Sequence, residues 1–246
     1  MYQFFVEPSR IQGSRIVIEG GDVNHIKNVL RMRPGEELAV SNGQDGREYL
    51  CSIEELSEEQ VVCRLLSVRE DAAELPARVT FFQGLPKAEK MELIVQKLVE
   101  LGACRIVPVA LKRSVVKLDE KKARARRERW QSIAEAAAKQ SKRRIVPQVG
   151  EVCSLKEALA QAAEMDLKLI PYELSEGMER TRRLIESAEA GQEIAVLIGP
   201  EGGFDPEEVE LAQQAGFEAV TLGRRILRTE TAGLTVMAWL MYCLEA

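Results

Sequence analysis

The pattern of apolar residues changes along the chain. Up to about residue 70 it is typical of short β-strands, and from residue 79 onward it is typical of alternating strands and helices. In the first part, short runs such as "QFFVEP", "RIVIEG" and "QVVCRLLSVRE" are rich in β-branched residues and alternate with turn residues such as "NGQDG". This pattern predicts a small β-barrel over residues 1–70. It also predicts one short helix, capped by Asp22 and carrying His25.

The second part alternates between apolar strands and amphipathic helices. The runs "VTFFQGLP" and "IAVLIG" lack polar alternation, as do strands that are covered on both faces. The stretch "AEKMELIVQKLVELGA" places Met91, Ile94 and Leu98 on one helical face. Repeated strand and helix predict an α/β domain with a parallel sheet over residues 79–246, joined to the first by a proline-containing linker over residues 71–78.

The loops after Ile170, Ile198 and Leu222 are the candidates for chemistry, because ligands of open α/β sheets bind outside the carboxyl ends of strands. The loop "GPEGGFDPEE" combines a glycine turn with a helix start at Asp205. Neither phosphate-binding motif, Gly-x-x-x-x-Gly-Lys-Ser/Thr or Gly-x-Gly-x-x-Gly, occurs in the chain. Because this stretch carries four carboxylates, we expect it to repel phosphate and to suit a neutral or cationic ligand. The alternative is a plain tight turn.

The third loop, "LGRRILRTETA", crowds three arginines beside that turn. Thr229 or Thr231 can cap the final helix, and Glu230 lies in its first turn. Capping accounts for one threonine and one acid. It does not account for Arg224, Arg225 and Arg228.

Composition narrows the classes of function. The chain of 246 residues has 46% hydrophobic and 30% charged residues, and it shows neither a membrane-length apolar run nor a signal peptide, so we expect a cytoplasmic protein. The five cysteines form no Cys-x-x-Cys pair and are expected to be reduced and mostly buried. With a single histidine, no metal site is expected.

A basic stretch stands out in a chain whose net charge is −5. Residues 112–144 hold 13 Lys and Arg against 4 acids, so local pairing cannot neutralise them. Such a cluster favours contact with a polyanion such as RNA. A solvated helix face is the alternative.

Two motifs in order, "LIGPEGGF" and "LGRRILRTETA", closely resemble the pattern of the SPOUT class of S-adenosylmethionine-dependent RNA methyltransferases. The resemblance is to the ribosomal RNA small subunit methyltransferase E family. It covers nearly the whole chain, because that family also has motifs like "HIKNVLRMRPGEEL", "KAEKMELIVQKLVELGACRIVPV" and "EAAAKQSKRRIVP". That family methylates N3 of a uridine in 16S rRNA near the decoding region. The resemblance implies an α/β C-terminal domain with a deep trefoil knot and an N-terminal PUA-like RNA-binding barrel.

The resemblance also implies that the three loops bind S-adenosylmethionine, which bears a sulfonium and no phosphate. The adenine is expected against Leu222, Ile226 and Leu227, and the methionine portion against the glycine turn. The residues implied to bind the cofactor are Leu169, Pro171, Tyr172, Ile198, Gly199, Pro200, Glu201, Gly203, Leu222, Gly223, Ile226, Leu227, Thr229 and Thr231.

Arg228 is the expected catalytic residue, because a guanidinium can stabilise the charge that develops on the uracil oxygens. A structural ion pair with Glu230 or Glu201 is the alternative for Arg228, and the role of Glu201 is open between ligand contact, loop support and turn shape. The residues expected to contact RNA are His25, Arg31, Arg113, Lys121, Lys122, Arg124, Arg126, Arg127, Arg143 and Arg144. His25 could equally pack as a structural residue.

The last helix, "GLTVMAWLMYCLEA", is apolar nearly all round, which predicts burial on more than one side. Core packing alone could bury it, but the resemblance implies a homodimer that forms through the knotted domain, with 16S rRNA or the small ribosomal subunit as the other partner. Two other functions stay open. One is a sister SPOUT enzyme acting on a ribose 2′-oxygen, and the other is an inactive RNA-binding adaptor.

Overall fold

The computed structural model describes residues 1–70, 73–172 and 177–245. Contacts between Cα atoms divide the chain into two units. The first contains Met1–Glu74 and Ala138–Val146, and the second contains Leu75–Ala137 and Pro147–Ala246. The boundary between the two units, after Glu74, therefore falls within the predicted linker over residues 71–78. Asp71 and Ala72 of that linker lie outside the described residues.

The first unit is built on a six-stranded sheet in the order β1-β4-β5-β6-β3-β2. β1 and β4 pair in parallel, and the other pairs are antiparallel. The strands are β1 (Gln3–Phe5), β2 (Ile11–Gln12), β3 (Arg15–Glu19), β4 (Glu37–Ser41), β5 (Glu48–Leu56) and β6 (Gln60–Arg69).

The short helix of this unit, α1 (Gly21–Asn24), continues into a π turn over His25–Val29. Its cap is Gly20, with φ 71°, so the prediction that Asp22 caps it is wrong. Asp22 instead accepts a hydrogen bond of 3.0 Å from Lys139. The predicted β-rich character of this part of the chain is confirmed, and its closure into a barrel stays a prediction.

Two of the cysteines lie in the core of the first unit, where burial keeps their thiols protonated. Cys51 and Cys63 are fully buried among the apolar strand residues. Burial raises the pKa of both thiols to about 12, so neither ionises near neutral pH. All five cysteines are free, but Cys104, Cys153 and Cys243 are only partly buried.

The segment Ala138–Val146 belongs to the first unit although the sequence pattern assigns it to the second. Its anchor is Glu74, whose carboxylate accepts bonds from the Arg143 guanidinium (Nε, 3.0 Å) and from the backbone N–H groups of Arg144 and Ile145, both at 3.2 Å. The Arg143 side chain is only 2% exposed. Local periodicity could not reveal this assignment, because the partners are about 70 residues apart.

The second unit holds a seven-stranded, parallel sheet in the order β10-β8-β7-β12-β11-β13, with β9 paired to β8. The strands are β7 (Arg78–Gly84), β8 (Arg105–Ala110), β9 (Gln148–Val149), β10 (Cys153–Ser154), β11 (Leu167–Pro171), β12 (Glu193–Ile198) and β13 (Glu218–Val220). The helices are α2 (Lys90–Glu100), α3 (Glu120–Gln140), α4 (Leu155–Gln161), α5 (Met178–Glu186), α6 (Pro206–Gln214) and α7 (Thr229–Leu244). The predicted α/β class is confirmed.

Several local features of this unit follow the sequence. The predicted face of α2 is buried, and the chain leaves that helix at Gly102 with φ 104°. α6 begins at the predicted cap, Asp205, whose side chain forms a reciprocal capping box with Glu208.

The final helix, α7, departs from one prediction. Its cap position is Arg228, and no side chain caps it, so neither Thr229 nor Thr231 is the cap. Val236, Met237 and Leu240 are fully buried and Tyr242 is 75% exposed, and burial of a second side in a homodimer stays a prediction.

Candidate functional site

The loops that follow β11, β12 and β13 meet around a cavity of about 560 Å³. The strands run parallel, so their carboxyl ends share one edge of the sheet and bring these loops together. The cavity is lined by Lys90, Pro171, Tyr172, Ile198, Gly199, Pro200, Glu201, Gly202, Gly203, Phe204, Thr221, Leu222, Gly223, Arg224, Arg225, Ile226, Leu227, Arg228, Thr229 and Ala232.

Most residues predicted to bind the cofactor lie in this lining. The exceptions are Leu169 and Thr231. The Leu169 side chain is fully buried on β11, and Thr231 is exposed in the first turn of α7. These two residues therefore do not line the cavity, and their contact with the cofactor stays a prediction. Glu173, which follows Tyr172 in the quoted "LIPYE" loop, lies outside the described residues.

Sequence reasoning missed several residues of the lining. Lys90 comes from the start of α2, far from the loops in sequence, and nothing local indicates its position. Phe204 and Ala232 are apolar and carry no chemical pattern. The sequence shows the charges of Arg224 and Arg225 but does not assign them to the cofactor site. Gly202 and Thr221 also belong to the lining and carry no signal of their own.

Two glycines of the lining form an open cradle. Gly203 (φ 66°) and Gly223 (φ 101°) adopt left-handed backbone conformations, and a Cβ built on either would meet no atom within 4 Å. Gly199 is constrained differently, because a Cβ there would lie 3.2 Å from the Phe204 ring. The backbone at Gly203 and Gly223 therefore leaves room for a ligand to approach closely.

The carboxylates of the glycine turn and of the α6 start are paired with lysines. Glu201 accepts from the backbone N–H of Lys87 at 3.1 Å, and the Lys90 ammonium lies 3.1 Å from it. Asp205 pairs with Lys112 at 3.3 Å, and the backbone N–H of Lys112 donates to Glu208 at 2.8 Å. Lys90 and Lys112 thus balance part of the charge of the four carboxylates, and repulsion of phosphate stays a prediction.

The pKa values of the Lys90 pair reflect this arrangement. Burial raises the pKa of the Glu201 carboxyl, but hydrogen bonds from its own N–H, Lys90 and the Lys87 N–H outweigh burial and hold that pKa below its ordinary value. The same carboxylate and that of Glu230 raise the pKa of Lys90. Both groups are thus ionised at neutral pH.

The free charge at the cavity is cationic. Arg224, Arg225 and Arg228 are exposed, and within the described ranges their guanidinium groups have no hydrogen-bond or ion-pair partner. The two acids considered as alternative partners of Arg228, Glu201 and Glu230, contact Lys90 instead, at 3.1 and 3.3 Å. Arg228 is therefore available to a substrate.

A buried hydrogen-bond chain supports the cavity wall. Gln83, at the end of β7, donates through Nε2 to the Thr229 hydroxyl at 2.9 Å. That hydroxyl donates in turn to the Gly199 carbonyl at 2.6 Å. Thr229 thus ties the start of α7 to the glycine turn, which explains why it does not serve as the cap.

The residues expected to contact RNA fall into three groups. His25 and Arg31 are exposed on the first unit, and the His25 ring meets Phe4 edge-on at 6.3 Å. Arg113 donates to the Gly202 carbonyl at 3.1 Å beside the glycine turn. The remaining cations lie on α3 or just after it.

On α3, the cations available to a polyanion are exposed or paired only at the surface. Lys122 pairs with Asp119 at 3.0 Å and Arg124 with Glu128 at 3.3 Å, while Lys121 and Arg126 are also exposed or half-exposed. Arg127 donates to the Val149 carbonyl at 3.1 Å. Such surface pairs are weak.

Arg143 and Arg144 do not belong to this surface. Both are buried, Arg143 against Glu74 and Arg144 within 3.6 Å of Glu48. The prediction that they contact RNA is wrong, because their charge is used inside the first unit.

The described part of the chain offers neither a metal-binding cluster nor a membrane-spanning helix. No cluster there contains three or more His, Cys, Asp or Glu side chains that could hold a metal ion. None of its helices combines the length and the apolar character that a bilayer crossing requires.

Comparison with known proteins bears on both units. A family model described as an RNA methyltransferase domain matches residues 73–241, and one described as an RNA methyltransferase PUA domain matches residues 18–66. Among curated proteins, the chain is 38% identical to ribosomal RNA small subunit methyltransferase E of Bacillus subtilis (strain 168), covering 100% of this chain and 98% of the relative.

Solved structures agree with this match. A ribosomal RNA small subunit methyltransferase E from Neisseria gonorrhoeae, crystallised with S-adenosyl methionine, is 32% identical with a TM-score of 0.84, covering 98% of this chain and 97% of that one. A putative methyltransferase from Legionella pneumophila, in complex with the same cofactor, is 33% identical with a TM-score of 0.84, covering 98% and 96%. The chain belongs to the ribosomal RNA small subunit methyltransferase E family.

Proposed function

We propose that this protein transfers a methyl group from S-adenosylmethionine to N3 of a uridine in 16S rRNA, near the decoding region of the small ribosomal subunit. The observation that carries the proposal is the juxtaposition of an open glycine cradle at Gly203 and Gly223 with the unpaired guanidinium of Arg228. The cradle suits the cofactor, and the guanidinium suits an anionic base. Family membership supports the same reaction.

The lining fits S-adenosylmethionine in size and chemistry. A volume of about 560 Å³ lies within the range of small-molecule sites. Leu222, Ile226 and Leu227 offer apolar contacts for the adenine, and Gly199 and Gly203 offer backbone to the methionine portion. When bound, the cofactor supplies a methyl group on a positively charged sulfur.

Glu201 has a supporting role in this proposal. Its carboxylate is held by the Lys87 N–H and the Lys90 ammonium, which fixes the glycine turn against the start of α2. Lys90 also lies 3.3 Å from Glu230 in the first turn of α7. The proposed binding surface is therefore held together from three elements before a ligand arrives.

Arg228 is the proposed catalytic residue. The N3 proton of uracil must leave before or during methyl transfer, and the negative charge then spreads onto the carbonyl oxygens. A guanidinium can donate two hydrogen bonds to such an oxygen-rich edge and stabilise the charge. Because Arg228 has no partner among the described residues, those donors are free for a base.

RNA is proposed to be held by both units. The cations of α3 suit phosphates, which position an RNA without reading its sequence. They are Lys121, Lys122, Arg124 and Arg126, which are exposed, and Arg127, which is half-buried. His25 and Arg31 on the first unit are proposed to add contacts. Arg113, beside the glycine turn, is proposed to contact RNA near the reacting base.

The assembly and location of the protein complete the proposal. A homodimer, formed by the knotted second unit, would cover the exposed side of α7, where Tyr242 is 75% exposed. The knot stays a prediction from the resemblance. The cytoplasm is the proposed location, because the ribosomal substrate is there.

The proposed homodimer has its own test. Sedimentation velocity at micromolar concentration should give twice the monomer mass. Tyr242→Glu places a charge on the exposed side of α7 and should shift the protein toward monomer, whereas Leu211→Glu changes an exposed residue of α6 and should leave the mass unchanged. A wild-type monomer would contradict the dimer.

The test of the reaction is analysis of nucleosides by mass spectrometry after incubation with small ribosomal subunits or 16S rRNA and isotopically labelled cofactor. Labelled N3-methyluridine is the expected product. Label on a ribose 2′-oxygen would indicate the sister reaction, and binding of RNA without any label would indicate an adaptor. Either result contradicts the proposal.

A further inference from the structure

A buried glutamine lies behind the cavity without lining it. Gln83 is fully buried at the carboxyl end of β7, and the hydrogen bonds of its amide reach Thr229 and the Gly84 carbonyl, both at 2.9 Å. We infer that Gln83 is a positioning residue for the methyl-transfer reaction and acts through Thr229 on the two loops that form the cavity. This inference rests on the proposed function.

The acceptors around Gln83 and Thr229 fix the direction in which each of these two residues donates its hydrogen bonds. The Gly84 carbonyl can only accept, so the amide nitrogen of Gln83 must face it. The same nitrogen then donates to Thr229, whose hydroxyl must turn its own proton to the Gly199 carbonyl, 2.6 Å away. The hydroxyl is thereby oriented by Gln83 and cannot rotate freely.

This chain of bonds ends on both sides of the cavity. Gly199 begins the glycine turn, and Thr229 directly follows Arg228 at the start of α7. No side chain caps α7, and the Thr229 bond joins its first residue directly to the turn, beside the indirect tie through Lys90 and Glu230. A shift of Thr229 would carry the Arg228 backbone with it. The geometry between cofactor and uracil depends on such positions.

Stability alone does not account for a glutamine at this position. The Oε1 atom of Gln83 is buried and has no hydrogen-bond partner within the described part of the chain. A buried acceptor without a partner is unfavourable, and an apolar pair of the same shape in place of Gln83 and Thr229 can be nearly neutral for stability. The amide therefore keeps one unpartnered atom while it orients Thr229 through the other.

The test separates positioning from folding. In Gln83→Met the side chain keeps its approximate length but loses the amide. Because the Gly84 carbonyl and the Thr229 hydroxyl lose a donor, we expect a modest fall in Tm with a native circular dichroism spectrum. Well below that Tm, we expect an unchanged Kd for RNA and a single-turnover rate lowered about 10-fold to 100-fold at saturating cofactor. A rate equal to wild type, or a lost rate that recovers when the assay temperature is lowered, would overturn the inference.

The partner hydroxyl gives an independent test. Thr229→Val should lower the rate as Gln83→Met does, the double variant should be no worse than either, and Thr229→Ser should restore most of the rate. Additive losses in the double variant, or no rescue by serine, would overturn the inference even if the methionine variant folds poorly.

Thr80→Val is the matched control. Thr80 is a buried polar residue of the same strand, and its hydroxyl lies 3.8 Å from the Cys104 sulfur, outside the cavity lining. Its rate should equal that of wild type, whereas a loss like that of Gln83→Met would overturn the inference. Wild type that transfers no methyl group contradicts the proposed function. Active wild type with an equally active Gln83→Met variant contradicts only the inference about Gln83.

Discussion

The ammonium of Lys90 lies 3.1 Å from the Glu201 carboxylate, at the point where the start of α2 meets the glycine turn. Replacing this lysine by Met should leave Glu201 and Glu230 facing each other without a cation. We expect the Kd for S-adenosylmethionine to rise about 10-fold, equivalent to about 1.4 kcal/mol, as measured by calorimetry. An unchanged Kd would mean that the pair does not shape the site. Lys97→Met, which removes a pair on the same helix, is the control.

The pH dependence of the site follows from the same pair. The pKa of Glu201 is below its ordinary value of 4.5, so the stability it contributes is present above that value and is lost as the pH falls through the folded pKa. The pKa of Lys90 is above its ordinary value of 10.5, so its contribution is lost only as the pH rises through the folded pKa. The free energy of unfolding should therefore be constant near neutrality and fall in acid, and Glu201→Gln should flatten the acid side. An unfolding free energy that falls equally in both proteins, measured by urea denaturation over pH, would exclude Glu201 as the cause.

Removal of the Arg228 guanidinium should impair chemistry more than binding. In Arg228→Ala we expect the single-turnover rate with saturating RNA to fall by about 100-fold to 1000-fold, the range for loss of a charge-stabilising donor. The Kd for the cofactor should change little. Arg228→Lys should recover only part of the rate, because an ammonium cannot provide the paired donors of a guanidinium. A near-normal rate for the alanine variant would exclude the assignment.

Binding of RNA should weaken with salt and depend on α3. We expect the combined replacement of Lys121, Lys122, Arg124, Arg126 and Arg127 by Ala to reduce the slope of log K against log salt, by roughly 0.7 to 0.9 for each phosphate that the variant no longer neutralises. Fluorescence anisotropy at several salt concentrations measures that slope. The control replaces Arg78 and Lys156, which are exposed elsewhere on the second unit. An equal decrease of slope per cation in both variants would mean that α3 is not a specific surface.

Arg143 should matter for folding. Arg143→Met leaves the Glu74 carboxylate buried without its guanidinium, and loss of one partner of a buried pair costs roughly 3 to 5 kcal/mol. Urea denaturation followed by circular dichroism measures this loss. Arg124→Met, which breaks an exposed pair with Glu128, should cost less than about 1 kcal/mol. Equal costs would indicate that burial does not strengthen the Glu74 pair.

Local signals in the sequence were sufficient for much of the second unit. The buried face of α2 and the cap at Asp205 depend on residues within a few positions of one another, so periodicity and cap chemistry reveal them. The three loops could be assigned to one site because the carboxyl ends of parallel strands share an edge.

Long-range partners were not predictable in the same way. The sequence shows that Glu201 and Arg143 carry charge, but their counterions, Lys90 and Glu74, are 111 and 69 positions away. Local sequence predicts a cap at Thr229 because its actual partners, Gln83 and Gly199, are 146 and 30 positions away. What a polar residue contacts is decided by the fold, whereas its position in a helix or strand is decided largely nearby.

The assignment of Ala138–Val146 to the first unit makes that unit discontinuous in sequence. If residues 1–74 were replaced by the β domain of another protein, the segment Ala138–Val146 would remain. Arg143 in that segment would then lack Glu74 unless the new domain supplied a carboxylate at the same place. The two units therefore cannot be exchanged independently at a single junction. We expect their coding sequences to have been inherited together, and a graft of another RNA-binding domain onto this enzyme to require two junctions.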